Sequence, residues 1–311
     1  YFKISSFPDY GKLARIEKET LQDGASGRVT KDEYEKEEVQ DFALWKAYTF
    51  DDGEVYWNSP FGKGRPGWHI ECSAMSMALL GQSIDIHTGG KDNMFPHHEN
   101  EIAQSECCSR VHPFVHYWMH NEYLSVDGKK MSKSLGNQYT IKDIEEKGFD
   151  PIVFRYLALQ AHYRAPLNFT WDSLEASRVA LNKLRRIIFI ADTDNARVSD
   201  EDKDEINKII SDDLATPKLV AYVWENLNNE NKEEAERIGL ILYADEYLGL
   251  GLSKIGNVPD EITQLLETRN EARKNKDFQK SDEIRDQIKS EGFSILDNPD
   301  GTSSAYLSIW E

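Results

Sequence analysis

Apolar and polar positions are mixed over residues 1 to about 65, where Tyr1-Phe2-Lys3-Ile4 and Glu54-Val55-Tyr56-Trp57 read as strand pieces and an acidic stretch runs from about Asp32 to Asp41. Gly62 to Met75, GKGRPGWHIECSAM, leads from a Gly/Pro-rich loop into a helix running through Ala78-Leu79-Leu80. A short strand, Ile84 to His87, then enters a glycine loop and a helix opening at Pro96, whose missing N–H costs nothing in a first turn. Strand, glycine turn, helix is an α/β pattern, with ligands expected at the carboxyl end of the strand. His116 to Val126 reads as strand and ends in the turn Asp127-Gly128. PIVFRYLALQAHY carries an apolar stripe, and from about Trp171 onward the spacing is almost entirely helical, as in LEASRVALNKLRRIIFIA. An acidic run from Asp192 to Asp213 separates two helical parts. ITQLLETRNEARKNKDFQKSDEIRDQI predicts two helices split near Asn275, and FSIL with the turn Asn298-Pro299-Asp300-Gly301 closes a small terminal unit.

Composition narrows the class. A chain of 311 residues has room for two or three domains with cores of their own. No apolar run approaches the roughly 18 residues of a membrane span, and no signal peptide opens the sequence. Three cysteines, Cys72 and the adjacent Cys107 and Cys108, are too few for a disulfide framework, so a reducing, cytoplasmic setting is expected. The net charge of −18 argues against indiscriminate adhesion to nucleic acid and leaves room for local basic patches. Tyr1 opens the chain in place of Met, which is expected of the later part of a longer protein. All eight histidines fall between His69 and His162, so polar chemistry is concentrated in one segment.

Within that segment, His97 and Glu101 stand at i and i+4 and share a helical face, with Cys72 upstream. Thiolate, imidazole and carboxylate make a plausible mixed zinc set. A buried small cysteine beside a surface ion pair accounts for the same residues. The hydrolase pattern H-E-x-x-H is not met, because Ile102 follows His98 by four. Gly128 to Ser134, GKKMSKS, packs three lysines and two serines into seven residues after a strand and turn. It lacks Walker spacing, yet a basic loop of this kind can place ammonium groups where a leaving polyphosphate gains charge. His87 at a strand end and Trp68 are, taken alone, more often structural than catalytic. His112, His116 and His120 recur at i+4, but Phe114, Tyr117 and Trp118 between them argue for strand and set them aside as a metal face.

Taken together these residues resemble the cysteinyl-tRNA synthetases, a class I aminoacyl-tRNA synthetase family. GRPGWHIECSAM, DIHTGGKDNMFPHHENEIAQSE and KMSKSLGN occur in that family's order and spacing, and RNEARKNKDFQKSDEIRD matches its terminal domain. The resemblance implies an α/β fold. It consists of a partial Rossmann-like class I synthetase catalytic domain, then a mostly α-helical tRNA-binding region and a small C-terminal domain. Residues 1–65 are expected in an inserted connective module and 66–165 in the second half of the catalytic nucleotide-binding domain. Residues 166–255 are expected as a helical bundle and 256–311 as an anticodon-binding domain. The implied reaction activates cysteine with ATP to cysteinyl-adenylate and transfers it to the 3′ end of tRNA(Cys), by a protein expected to be a monomer.

Position by position, Cys72, His97 and Glu101 match three of the family's four zinc ligands, with His98 a neighbour on a different face of the helix. Lys130 and Lys133 match the charge-stabilising lysines, and Lys130, Met131, Ser132, Lys133 and Ser134 the ATP loop. ATP, as its Mg2+ complex, is a substrate. Trp68 and His87 match residues lining the amino-acid pocket, and Asp92 is a candidate for ribose or amino-group contact. Arg269, Arg273, Lys274, Lys276, Lys280, Arg285 and Lys289 are the expected cations of the anticodon unit. The fourth zinc ligand, a cysteine, and the HIGH signature are expected upstream of Tyr1, since WHIE at Trp68 to Glu71 does not replace the latter. Thr88 and the ending SSAYLSIWE depart from the family pattern. Two rivals stand beside this reading: a cysteine ligase acting on an amino sugar, which has no need of an anticodon module, and a non-catalytic RNA-binding protein.

Overall fold

The computed structural model describes residues 1–15, 41–256, 258–298 and 301–310, so the acidic stretch from Asp32 lies outside the described residues except for Asp41. Contacts divide the chain into two units, Tyr1–Tyr123 with Tyr163–Ala165, and Leu124–His162 with Pro166–Glu311.

In the first unit, Phe2 makes a single antiparallel bridge to Phe42, and Ile4–Ser6 coils into a 3₁₀ turn where a strand was expected. The turn wins because Ile4, Phe7 and Tyr10, three residues apart, bury together on one side. Residues Gly62–Pro66, read as a loop, instead form the central strand β3 of an antiparallel sheet in the order β1 (Trp45–Ala47), β3, β2 (Trp57–Ser59). Glycine permits this pairing: a Cβ on Gly64 would stand 2.1 Å from the Lys46 carbonyl oxygen. Helix α1 (Trp68–Leu80) follows directly.

Strand β4 (Ile84–Gly90) extends through the glycines beyond its expected end and pairs in parallel with β5 (Val115–Asn121), from Ile84↔Val115 to Gly90↔Asn121. Between them run a helical turn α2 (Lys91–Asn93), a π-helical segment Met94–His98 and helix α3 (Glu99–Ser109). Phe95 is extended (φ −135°, ψ 132°), so the chain kinks just before Pro96 rather than starting a clean α-helix there.

In the second unit, β6 (Leu124–Val126) and β7 (Lys129–Lys130) form a hairpin, and β8 (Leu167–Phe169) joins β6 in parallel. Its turn is Asp127-Gly128, with positive φ at both residues (49° and 71°), which is what a two-residue hairpin loop demands. Helices α4 (Ile141–Glu146), α5 (Pro151–Leu159) and α6 (Trp171–Ile190) start at the side-chain caps Thr140, Asp150 and Thr170. The acidic run contains a helix of its own, α7 (Asp200–Ser211), capped by Ser199 and carrying Ile206, Ile209 and Ile210 inward. With α8 (Thr216–Leu227) and α9 (Glu234–Leu248) it closes a core around Leu181, Leu184, Leu219, Leu240 and Ile241.

Helices α10 (Asp260–Lys274) and α11 (Phe278–Ser290) separate at Asn275 as the pattern predicts, and strands β9 (Phe293–Asp297) and β10 (Ser303–Leu307) pair antiparallel beside them. Phe189 of α6 enters this smaller core with Ile262, Leu266, Ile284, Ile288 and Phe293. Among the described residues no helix is long and apolar enough to cross a membrane.

Candidate functional site

Cys72 on α1, His97 at the end of the π-helical segment and Glu101 on α3 bring one ligand atom each to within 4.8 Å of one another. The i,i+4 relation holds in the helical stretch after the kink: His97 Nε2 lies 2.8 Å from Glu101 Oε1. His97 and Glu101 are buried, Glu101 with 0% exposure, while Cys72 is half-buried and unpaired with another cysteine. His87, in the middle of β4, meets the other carboxylate oxygen, with Nε2 3.0 Å from Oε2.

Burial alone would raise the Glu101 carboxyl, but the contacts of His87 and His97 outweigh it and hold the group at about 2. The same burial, with the carboxylates of Glu101 and Glu71 nearby, pushes the Cys72 thiol up. Glu101 Oε1 has no aligned hydrogen-bond donor, although His97 Nε2 is so close. A buried carboxylate that shares this space with a thiol and an imidazole, one of its oxygens lacking an aligned donor, suits a cation of mixed S, N and O ligation.

Four residues surround this trio: His98, expected as a neighbour, and His69, His120 and Trp118, which the sequence reading did not place at the site. His69 Nδ1 is 2.8 Å from His97 Nδ1, and His98 Nδ1 is 2.8 Å from His120 Nε2. Trp118 packs against His87 and His98, each with ring centroids 4.8 Å apart. His98, expected only as a neighbour on another face of the helix, has its ring centroid 5.6 Å from that of His97 and brings a ring nitrogen within 4.8 Å of ligand atoms of His87 and Glu101. Burial lowers the rings of His69, to about 4, and His98, to about 3, and it lowers His120 as well. All three therefore stay neutral at ordinary pH. Gly89 makes room for this arrangement, because a Cβ there would lie 2.6 Å from His98 Cε1. The available signals were the i,i+3 spacing of His69 and Cys72 on a helix and the two-residue strand period joining Trp118 to His120.

Trp68 stacks on the His97 ring at 4.1 Å and keeps 50% of its surface exposed, so it borders the cluster from the solvent side. Asp92 lies in α2, just past the carboxyl end of β4. Lys91 beside it bonds Glu122 at 2.8 Å, next to the end of β5.

The Lys/Ser loop belongs to the second unit and is braced by Asn137, which sequence reasoning passed over. Asn137 Nδ2 donates to the Lys130 carbonyl (3.1 Å), and its Oδ1 accepts from Ser132 N–H (2.9 Å). Ser132 and Ser134 hydroxyls lie 3.3 Å apart, Lys130 is exposed on β7, and Met131 packs toward the helical core. Lys133 starts the 3₁₀ turn Lys133–Leu135, and its side chain lies outside the described part of the structure.

Of the cations expected on the terminal unit, Arg269 is corrected: it is 1% exposed and bonds Asp297 Oδ1 (2.8 Å) and Ser303 Oγ. Ile262, Leu266 and Arg269 stand at i, i+4 and i+7, which puts Arg269 on the buried stripe of α10. Arg273 also pairs with Asp297, and Arg285 with Asp282.

The model of the class I (C) tRNA synthetase catalytic domain matches residues 1–179, and that of the cysteinyl-tRNA ligase anticodon-binding domain matches residues 256–303. The cysteine–tRNA ligase of Brachyspira hyodysenteriae is 45% identical over 328 residues, covering 97% of this chain and 69% of the relative. The chain belongs to the cysteine–tRNA ligase family. The Opitutus terrae member is 47% identical, covering 97% of this chain and 67% of its own length, and that of Chlamydia muridarum is 44% identical with 97% and 69% covered. The fold is α/β with a class I synthetase catalytic domain and a C-terminal anticodon-binding domain, as the motifs imply.

Proposed function

We propose that the chain carries the cysteine pocket, ATP loop and tRNA-binding parts of an enzyme that charges tRNA(Cys) with L-cysteine. The cysteine carboxylate attacks the α-phosphate of ATP, supplied with Mg2+, and pyrophosphate leaves; the cysteinyl group then passes from the adenylate to the 3′ end of the tRNA. The observation that supports this most is the convergence of Cys72, His97 and Glu101 around a buried carboxylate oxygen with no aligned donor.

Those three residues would hold one zinc ion, which on binding a substrate thiolate distinguishes cysteine from serine. For His97 to present Nε2 as a lone pair, its proton must sit on Nδ1, and His69 Nδ1 at 2.8 Å accepts it while staying neutral. His87 fixes Glu101 Oε2 and leaves Oε1 to the metal side. Trp68 and His87 line the amino-acid pocket in this reading, and Asp92 meets the ribose or the amino group. Lys130 and Lys133, with Met131, Ser132 and Ser134, bind the ATP phosphates and offset charge on the departing pyrophosphate. The nucleophile is already a carboxylate, so positioning and charge neutralisation suffice without a general base.

Residues 1–65 then belong to a connective module, 66–165 to the nucleotide-binding domain, 166–255 to a helical region under the tRNA, and 256–311 to an anticodon-reading unit. The matched anticodon-binding model at 256–303 supports tRNA over an amino sugar as acceptor. ATP–pyrophosphate exchange with the complete protein should require cysteine and ATP, and charging should require tRNA(Cys). Ligation of cysteine to an amino sugar with tRNA(Cys) left uncharged would refute the reading.

A further inference from the structure

Glu99 is 1% exposed and plays no part in the chemistry described above. On a helix it lies about 200° from both His97 and Glu101, on the side away from the metal donors. Its carboxylate accepts from the backbone N–H of Gly11 (3.0 Å) and Ala14 (2.7 Å), and a hydrogen bond from the Leu13 backbone adds to them. Burial pushes this carboxyl up, and those N–H groups pull it back. The next residue, Asn100, is also buried and accepts the Tyr10 hydroxyl at 2.6 Å. Ile4, Phe7, Tyr10 and Phe42 pack with Ala103 one turn further along α3.

A second route joins the same segment to the metal donors. Phe2 stacks on Phe42 at 5.0 Å, and Phe42 meets the His69 ring edge-on at 5.5 Å. His69 in turn bonds His97. The first turn of α3 is therefore gripped from its far side by residues 1–15, while Glu101 on its near side meets His97 from the segment just before it.

We propose that residues 1–15 act as a strap that sets the position of His97 and Glu101, with Glu99 as the positioning residue that fastens it. The inference rests on the metal reading above. A carboxylate receiving several N–H donors has no equivalent in an amide, because one of its two oxygens is replaced by a group that is itself a donor. Glu99→Gln therefore releases the strap with little change in volume. Tyr10→Phe removes only the hydroxyl bonded to Asn100 and is the milder variant.

The test uses cobalt(II) as the probe in the complete protein, with affinity from chelator competition, the cobalt absorption spectrum, and hydrogen exchange at the Gly11 and Ala14 amides. Glu99→Gln should speed exchange at those amides, weaken cobalt about tenfold and change its spectrum, in the range found when groups supporting metal ligands are altered. Tyr10→Phe should move affinity and spectrum the same way by a smaller factor. Glu106→Gln is the control: Glu106 is another buried carboxylate of α3, holding Phe114 N–H and His112, and it should leave the spectrum unchanged. Faster exchange at residues 11 and 14 with unchanged affinity and spectrum would overturn the strap, as would an equal spectral change in Glu106→Gln. If neither amide exchange nor metal binding responds, Glu99 is not the fastener and the proposal fails. Cobalt failing to bind the unsubstituted protein through Cys72 would instead defeat the metal reading itself.

Discussion

His97 Nε2 and Glu101 Oε1 approach to 2.8 Å inside the protein, yet that oxygen has no aligned donor. An ordinary buried ion pair would satisfy the carboxylate in full. In the proposed site, a cation shared with Cys72 would meet the side of that oxygen left without a donor.

The Lys/Ser loop carries the first prediction. Lys133→Ala in the complete enzyme should lower kcat and kcat/KM for ATP–pyrophosphate exchange together, with cysteine binding little changed. Loss of an interaction made mainly in the transition state has that signature. Normal exchange with only tRNA charging reduced would remove Lys133 from the activation step.

Gly89→Ala should disturb the histidine cluster without touching a metal donor. The added Cβ would meet His98 at 2.6 Å, an overpacking that costs about 1–3 kcal/mol. Thermal unfolding should report the loss, with zinc content largely kept as in His98→Ala. An unchanged Tm would show that the cluster tolerates displacement.

In the terminal unit, the buried and exposed cations should behave differently. Arg269→Ala should destabilise α10 against β9 and β10, since it removes a buried side chain together with its hydrogen bonds to the half-exposed Asp297 and to Ser303. Lys276→Ala with Lys280→Ala, both exposed, should leave stability and exchange alone while weakening tRNA charging and flattening its dependence on salt. Charging unaffected by the double substitution would place the RNA contact elsewhere.

The same cluster fixes a pH dependence. The Arg269 guanidinium beside Asp297 holds that carboxyl down at about 2 despite partial burial. A depressed carboxyl stabilises the fold above its unfolded value near 4, and the contribution disappears as pH falls from about 4 towards 2. Acid titration followed by near-UV circular dichroism should show this loss, and Asp297→Asn should remove the pH-dependent part.

Much of the fold was readable because helical spacing and caps agree from Trp171 onward, and because Asp127-Gly128 can serve only as a turn between its strands. Residues 1–6 and 62–66 were misread for a common reason. Tertiary burial chose a 3₁₀ turn for Ile4 to Ser6, and strand neighbours chose an extended path for glycines that suggest a loop. His97 and Glu101 could be paired by helical period, whereas the set of His69, His98, His120 and Trp118 could not. Those four come from α1, the π-helical segment and β5, and only the packed unit brings them together. Arg269 shows the opposite case: its place on the stripe of Ile262 and Leu266 was visible, but its charge suggested the surface.

The central claim is that Cys72, His97 and Glu101 hold a zinc ion that reads the substrate. Cysteine and serine differ by one atom, and a pocket judging shape gains only about 1–3 kcal/mol from so small a change. The most direct measurement is zinc content of the complete protein alongside cysteine and serine exchange rates, for the unsubstituted protein, Cys72→Ser, His97→Ala and His98→Ala. The account predicts zinc in the unsubstituted protein, largely retained in His98→Ala, lost or weakened in the other two, and a preference for cysteine that falls with the metal. A metal-free protein that still rejects serine would contradict it.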